Sequence, residues 1–191
     1  MPSFGYGSSA YDCKRGSKLS KIKGSVCSIC YGKKYRFRFP NVKKSLKLKG
    51  KAVKHPLWVK AMVVMINAYE QSGYFRFAVT GDIQSLGELL KICAVCRLTP
   101  HIKHWLPTHE VGIIGAFKRA GFEFPENLTV RLSADMLEDV PSEALMTSLG
   151  VLGGGVSKTN YNCPSSKQDN MCQKCRLCWN KDVKVVVYKQ H

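Results

Sequence analysis

Acidic side chains are nearly missing from the first third of the chain: residues 1 to 69 hold 16 of the 30 Lys and Arg but a single acid, Asp12. The remainder is close to balance, at 14 basic against 12 acidic residues. A segment this short of acids carries a strong positive field, which favours phosphate backbones through counterion release. Long apolar runs are also lacking. No stretch approaches the roughly 18 apolar residues that a membrane span requires, so no membrane partner is expected. The Met1-Pro-Ser-Phe-Gly start has no apolar region of the kind a secretory signal uses, and an intracellular protein is expected. Also absent are a phosphate loop and a dinucleotide fingerprint, because Gly153-Gly154-Gly155 lacks the flanking residues of either.

Cysteine, by contrast, is plentiful. Nine are present, an odd number that excludes complete internal pairing, and in a reducing compartment the default reading is metal. Cys172-Gln-Lys-Cys175-Arg-Leu-Cys178 places three thiols two residues apart, with Cys163-Pro164 upstream as the fourth. Such a run suits the separate corners of a 4Fe-4S cluster, whereas structural zinc more often takes separated Cys-x-x-Cys pairs. An iron–sulfur cluster on Cys163, Cys172, Cys175 and Cys178 is therefore expected, with zinc as the alternative. Cys27-Ser-Ile-Cys30 and Cys13 form either a second site or a supplement that ties the two chain ends together through metal. Cys93 and Cys96 fall in a helical pattern and are read as buried thiols.

The 191 residues, 45% hydrophobic, suffice for one core, and a single domain over 1–191 is expected. Residues 1–55 read as a basic, loop-rich lead-in without a long helical period. Within it Lys33, Lys34, Arg36, Arg38, Lys43, Lys44 and Lys47 are the candidate nucleic-acid contacts. Residues 56–140 read as a β/α core. Apolar spacing from Leu57 to Tyr69 predicts a helix, followed by a strand over 74–79, a helix over 85–97, a strand over 102–106, a helix over 110–120 and a strand over 128–132. Strands separated by single helices pair in parallel through right-handed crossovers. The fold class is thus α/β, a partial (β/α) barrel or a small mostly parallel sheet. Residues 141–191 comprise a Gly-rich connection, the cysteine motif and a final strand over 183–188.

In parallel α/β folds functional groups gather where strands end. Here those ends read Thr80-Gly81-Asp82, Pro107-Thr108-His109-Glu110 and Ser133-Ala134-Asp135. Asp82, His109 and Glu110 are the candidate catalytic or ligand-binding groups, while Asp82 and Thr108 also suit helix N-caps.

Several motifs carry a family resemblance: Asp12-Cys13-Lys14 with Gly16-Ser17-Lys18-Leu19, Gly24-Ser25-Val26-Cys27 with Cys30-Tyr31, and Tyr74-Phe75-Arg76-Phe77 leading to Gly81-Asp82-Ile83-Gln84-Ser85. Thr99-Pro100-His101 with Trp105-Leu106-Pro107-Thr108, and Cys163-Pro164 through Cys178-Trp179, complete the set. On these residues the chain resembles the phage gene product 88 family over nearly its whole length. The resemblance implies a viral origin, the cytoplasm of an infected bacterial host, and an N-terminal cysteine set paired with a C-terminal one. Where relatives have His-Asp-Ser-Gly-Asp, this chain has Ala78-Val79-Thr80-Gly81-Asp82. A looser similarity is to radical S-adenosylmethionine enzymes, which use a partial barrel with a cluster at its mouth. Their Cys-x3-Cys-x2-Cys loop is not present, because Lys23 stands where its first cysteine would fall. The resulting expectation is a phage iron–sulfur protein that binds or acts on nucleic acid. Its alternatives are a zinc-dependent nucleic-acid modifying enzyme and a non-enzymatic protein that engages a host factor and uses metal as a folding staple.

Overall fold

The computed structural model describes residues 3–190. Five parallel strands make one curled half-barrel sheet, β1 (Tyr74–Arg76), β2 (Lys103–Thr108), β3 (Leu128–Ser133), β4 (Leu152–Ser157) and β5 (Val185–Lys189), each paired with its successor. The register sets Phe75 opposite His104, Leu106 opposite Val130, Leu132 opposite Gly153 and Gly154 opposite Val186. Parallel neighbours of this kind need crossovers, and the sequence supplies helices for them: α4 (Leu86–Leu98), α5 (Val111–Arg119) and α6 (Glu143–Leu149). Three more helices precede or flank this unit, α1 (Lys14–Leu19), α2 (Pro40–Ala52) and α3 (Trp58–Tyr69).

Strand alternation sorts the two faces of the sheet. Phe75, Leu106, Leu128, Val130 and Leu132 point to the convex side, where they join Met62, Ile66, Leu89, Ile92, Ile114 and Phe117 in the main core. Burying each such side chain contributes about 1.5–3 kcal/mol relative to exposure, so this helix-covered face supplies most of the driving force. Trp58, Met62 and Ile66 recur every four residues on α3, which is why that helix lies flat on the core. On the concave side Trp105 and Val186 pack with Cys163, Cys178 and Trp179, so the C-terminal cysteine segment fills the inside of the half-barrel.

Both sheet edges are covered by chain. Residues 4–8 run beside the end of β1, with Tyr6 N donating to Arg76 O at 2.9 Å and Ser8 N to Thr80 O at 2.8 Å. At β5, the Asn162 side chain donates to Val185 O at 2.9 Å and accepts from Val187 N at 2.8 Å.

Two expectations are corrected. The 1–55 lead-in is not helix-free, because α2 forms on a lysine-rich sequence that buries only Leu46. Pro40 at its first turn starts that helix without needing an amide donor. Gly153-Gly154-Gly155 is not a flexible connection but lies within β4, and Gly154 faces the Tyr188 ring at 3.9 Å from where a Cβ would sit. The close approaches are at its neighbours, where a Cβ at Gly155 would meet Asp139 O at 2.6 Å and one at Gly153 would meet Met146 Sδ at 2.8 Å. The lead-in is tied to the strand ends by backbone bonds, including Val26 N to Asp135 O at 2.9 Å, and the C-terminal segment is held separately from inside the half-barrel.

Candidate functional site at the carboxyl rim and concave face

The rim is built where β1, β2 and β3 end. Asp82, 7% exposed, accepts hydrogen bonds from Ile83 N at 2.8 Å, Thr108 Oγ1 at 2.6 Å and His109 N at 2.8 Å. It therefore clamps the loop after β1 to the end of β2. Burial pushes its carboxyl up to about 7, against the three hydrogen bonds, which lower it. Neither Asp82 nor Thr108 is a helix N-cap: Ser85 caps α4, its Oγ accepting from Glu88 N at 3.1 Å, and Glu110 stands at the N-cap position of α5, its amide donating to Thr108 Oγ1 at 3.0 Å. Glu110 accepts from Arg15 N at 2.9 Å, and the Arg15 side chain forms an ion pair with Asp135. His109 Nδ1 lies 3.7 Å from Asp135, and burial lowers the pKa of its imidazole, which favours the neutral ring.

Over this rim lie the N-terminal thiols. Cys13 and Cys27 are each pushed up to about 12, first by burial and then by Asp82 and their neighbouring cysteines, Cys30 included. Lys33 opposes both shifts. Gly16 lines the same space: a Cβ there would stand 3.1 Å from Cys13 Cβ, 3.5 Å from Cys27 Sγ and 3.8 Å from Cys13 Sγ. The segment reaches this place through close backbone approaches. A Cβ at Gly7 would meet Thr80 N at 2.9 Å, and Gly81, at φ +76°, packs directly on Ser8.

The concave site rests on Arg131. The residue is 1% exposed, and its guanidinium donates to the carbonyls of Cys178 at 3.0 Å, Leu177 at 3.0 Å, Asn180 at 2.7 Å, Val183 at 2.9 Å, Gly153 at 3.2 Å and Lys184 at 3.5 Å. One buried cation thus gathers the turn that carries Cys178 and pins it to the sheet. Cys178 Sγ lies 3.3 Å from Tyr188 Oη, and Cys163 Sγ lies 3.3 Å from Ser165 Oγ. Burial pushes the Cys178 thiol up to about 11, while Arg76 and Arg131 oppose the shift. Cys172 is raised more modestly, by burial and then by Cys163 and Cys175, with Arg76 opposing. The Arg76 guanidinium stacks 4.3 Å from the centre of the Trp105 ring, whose buried Nε1 has no hydrogen-bond partner among the described residues.

Of the residues singled out from sequence, Asp82, His109 and Glu110 do come together, and so do the cysteines of each set. Within each set the cysteines raise one another's pKa values. Among the described residues no three His, Cys, Asp or Glu side chains are gathered as a single metal ion would require. Cys93 and Cys96 are fully buried in the main core, as expected. The basic residues Lys34, Arg36, Arg38, Lys43, Lys44 and Lys47 are exposed, and Lys33 is half-buried beneath the rim segment. Sequence reasoning did not select Arg131, Arg15, Gly16, Arg76 or Tyr188. For Arg131 a signal existed, since it holds an inward position in an apolar strand where a charge needs partners.

Among the described residues no helix is long and apolar enough to cross a membrane. Neither a curated protein nor a solved structure matches the chain, and the looser likeness to radical S-adenosylmethionine enzymes gains no support from these comparisons. The family model described as Gene product 88 matches residues 2–181, and the chain belongs to that family.

Proposed function

We propose that this Gene product 88 protein is an iron–sulfur protein that binds nucleic acid on its basic N-terminal surface and acts on it at the rim. The observation that carries the reading is the grouping of seven cysteines into two sets, one inside the half-barrel and one over its carboxyl rim. In the concave set, Trp105 Nε1 is a buried donor without an acceptor among the described residues, packed with Cys163 and Cys178. A cluster sulfur there would take that hydrogen bond. At the rim, Gly16 leaves clear the space against the Cys13 and Cys27 sulfurs that a side chain would fill.

The donor arrangement favours a cluster over zinc. Two thiolates on one zinc, each about 2.3 Å from it, are at most about 4.6 Å apart. A cluster spreads its thiolates over separate irons and does not need that convergence. Cys163, Cys172, Cys175 and Cys178 would hold one cluster, and Cys13, Cys27 and Cys30 a second with one protein ligand fewer. Such groups supply one-electron chemistry or a Lewis-acidic iron. The rim residues divide the remaining work. His109, held neutral by burial, is the group able to take a proton, Asp82 fixes its backbone, and Arg15 neutralises Asp135 and anchors Glu110.

Anaerobic purification followed by iron, acid-labile sulfide and zinc analysis tests this reading. Iron with matching sulfide and a broad visible charge-transfer absorption is expected. Cys172→Ser should remove one part of it and Cys27→Ser another. Zinc without sulfide would overturn the assignment and leave the thiols as folding staples.

A further inference from the structure

We propose that the basic N-terminal surface is a platform for single-stranded nucleic acid, on which the exposed rings of Tyr35 and Phe39 stack bases while surrounding cations hold the backbone. The inference rests on the nucleic-acid reading above and specifies its substrate class.

Between Cys30 and His55 the chain has ten Lys and Arg and no acid. Charge of this sign and density selects a polyanion over a neutral or basic protein partner. Exposed aromatics are set among these cations. Tyr35 is 71% and Phe39 62% exposed, at the two ends of the turn that carries Arg36 and Arg38 and leads into α2. Tyr35 also adopts φ +47°, a left-handed backbone that costs a bulky L-residue roughly 1–2 kcal/mol. The chain accepts that strain while leaving an apolar ring in water, a combination that packing within the fold does not explain. Other rings beside it are anchored: Tyr11 lies under the ammonium groups of Lys33 and Lys43, at 5.6 and 5.1 Å, and Tyr31 Oη donates to Val79 O.

A duplex fits these features poorly. Its bases are already stacked, so open rings gain nothing from it. The cations of α2, the long helix a major groove could admit, are all lysines, point charges suited to phosphate, and the platform's arginines, Arg36 and Arg38, lie instead in the short turn between the two rings. Unstacked bases, in contrast, offer a face to any ring, and aromatic rings interleaved with cations are how proteins hold single strands. The platform also leads to chemistry. Tyr31 follows Cys30 directly, and its bond to Val79 fixes the start of the platform three residues from Asp82.

Fluorescence anisotropy with a labelled mixed-sequence 15-nucleotide DNA strand, its RNA counterpart and the matching DNA duplex, over a salt series, tests this. Tyr35→Asn removes the ring and keeps a residue that tolerates the left-handed backbone. Tyr35→Trp restores a ring, and Phe39→Ala and Lys43→Gln/Lys47→Gln complete the set, with thermal melts establishing that each variant is folded. Single strands of either sugar should bind at least tenfold tighter than the duplex. Tyr35→Asn and Phe39→Ala should each weaken single-strand binding roughly tenfold without changing its salt slope, and Tyr35→Trp should recover it. The double lysine variant should lower the slope by roughly 0.7 per lost phosphate contact. Duplex binding as tight as single-strand binding, and indifferent to both rings, would overturn the single-strand platform while leaving nucleic-acid binding intact. No binding to any of the three at low salt would sink both readings.

Discussion

The two cysteine sets are held in opposite ways. The concave set is organised from within, by a buried guanidinium that collects six carbonyls and by packing against Trp105 and Trp179. The rim set is organised from outside, by a lead-in laid over the strand ends through backbone contacts at Thr80, Asp135 and Ser8. Their electrostatics differ as well. Arg76 and Arg131 oppose the upward shift of Cys178, whereas Asp82 adds to the shifts of Cys13 and Cys27. The contrast teaches that one set is part of the fold's interior, and the other is an attachment whose shape depends on how well the lead-in seats.

Removing the internal anchor should have the largest effect. Arg131→Met leaves several buried carbonyls without a donor and should cost about 3–5 kcal/mol in urea unfolding. In the same variant, thiol-labelling rates at Cys163 and Cys178 should rise at least tenfold while those at Cys13 and Cys27 stay unchanged. Equal acceleration of both sets would erase the distinction between them.

The clamp at the rim comes next. Asp82→Asn replaces one acceptor oxygen with a donor facing either Thr108 or the backbone amides, and should destabilise by about 1–3 kcal/mol. The pH dependence has a defined sign. A carboxyl raised from 3.8 to about 7 binds protons more tightly in the folded state, so its contribution to stability is lost as pH rises from about 4 to 7. Chemical denaturation across that window should show this decline in the parent and a flatter profile in Asp82→Asn.

A smaller change should separate loading from stability. Gly16→Ala raises helix propensity but puts a methyl 3.1 Å from Cys13 Cβ. Stability should shift by no more than about 1 kcal/mol, while iron bound at the rim falls by at least half and the concave set loads normally. The smallest effect is expected for Lys43→Gln/Lys47→Gln, within about 0.5 kcal/mol by thermal melt, since both side chains are exposed on α2.

Much of the core was legible from sequence because its signals are local. The helical spacing of Trp58, Met62 and Ile66, and the aromatic and β-branched runs at Tyr74–Arg76 and Leu128–Ser133, predict the elements that form. The strand-end rule likewise brought Asp82, His109 and Glu110 together before any coordinates. What stayed hidden depends on distant partners. Gly153-Gly154-Gly155 has poor strand propensity and becomes a strand because Leu132 and Val186 flank it on either side. The apolar stripe of α2 is thin, Val42, Leu46 and Val53 among lysines, so periodicity gives little warning of it. Arg131 as an anchor required knowing that the chain returns, some 47 residues later, to present carbonyls to it. The separation of the cysteines into two sets is also tertiary, because motif spacing is silent on which face of a sheet each motif reaches.

The strand order has a consequence for the sequence of events as the protein is made. Because each strand pairs with the next in the chain, the sheet can assemble progressively from the amino terminus during translation. The lead-in cannot follow that schedule. Residues 4–8 must wait for 76–80, and Val26 and Ser25 must wait for Asp135 and Met136, before Cys13, Cys27 and Cys30 are brought together. These thiols therefore leave the ribosome long before they find their place, although still ahead of the concave set, whose Cys163 to Cys178 follow Met136 in the chain. Stalled nascent chains ending before and after the point at which Met136 emerges should differ in protease resistance of the first 35 residues, and equal resistance in both would show that the lead-in organises itself alone.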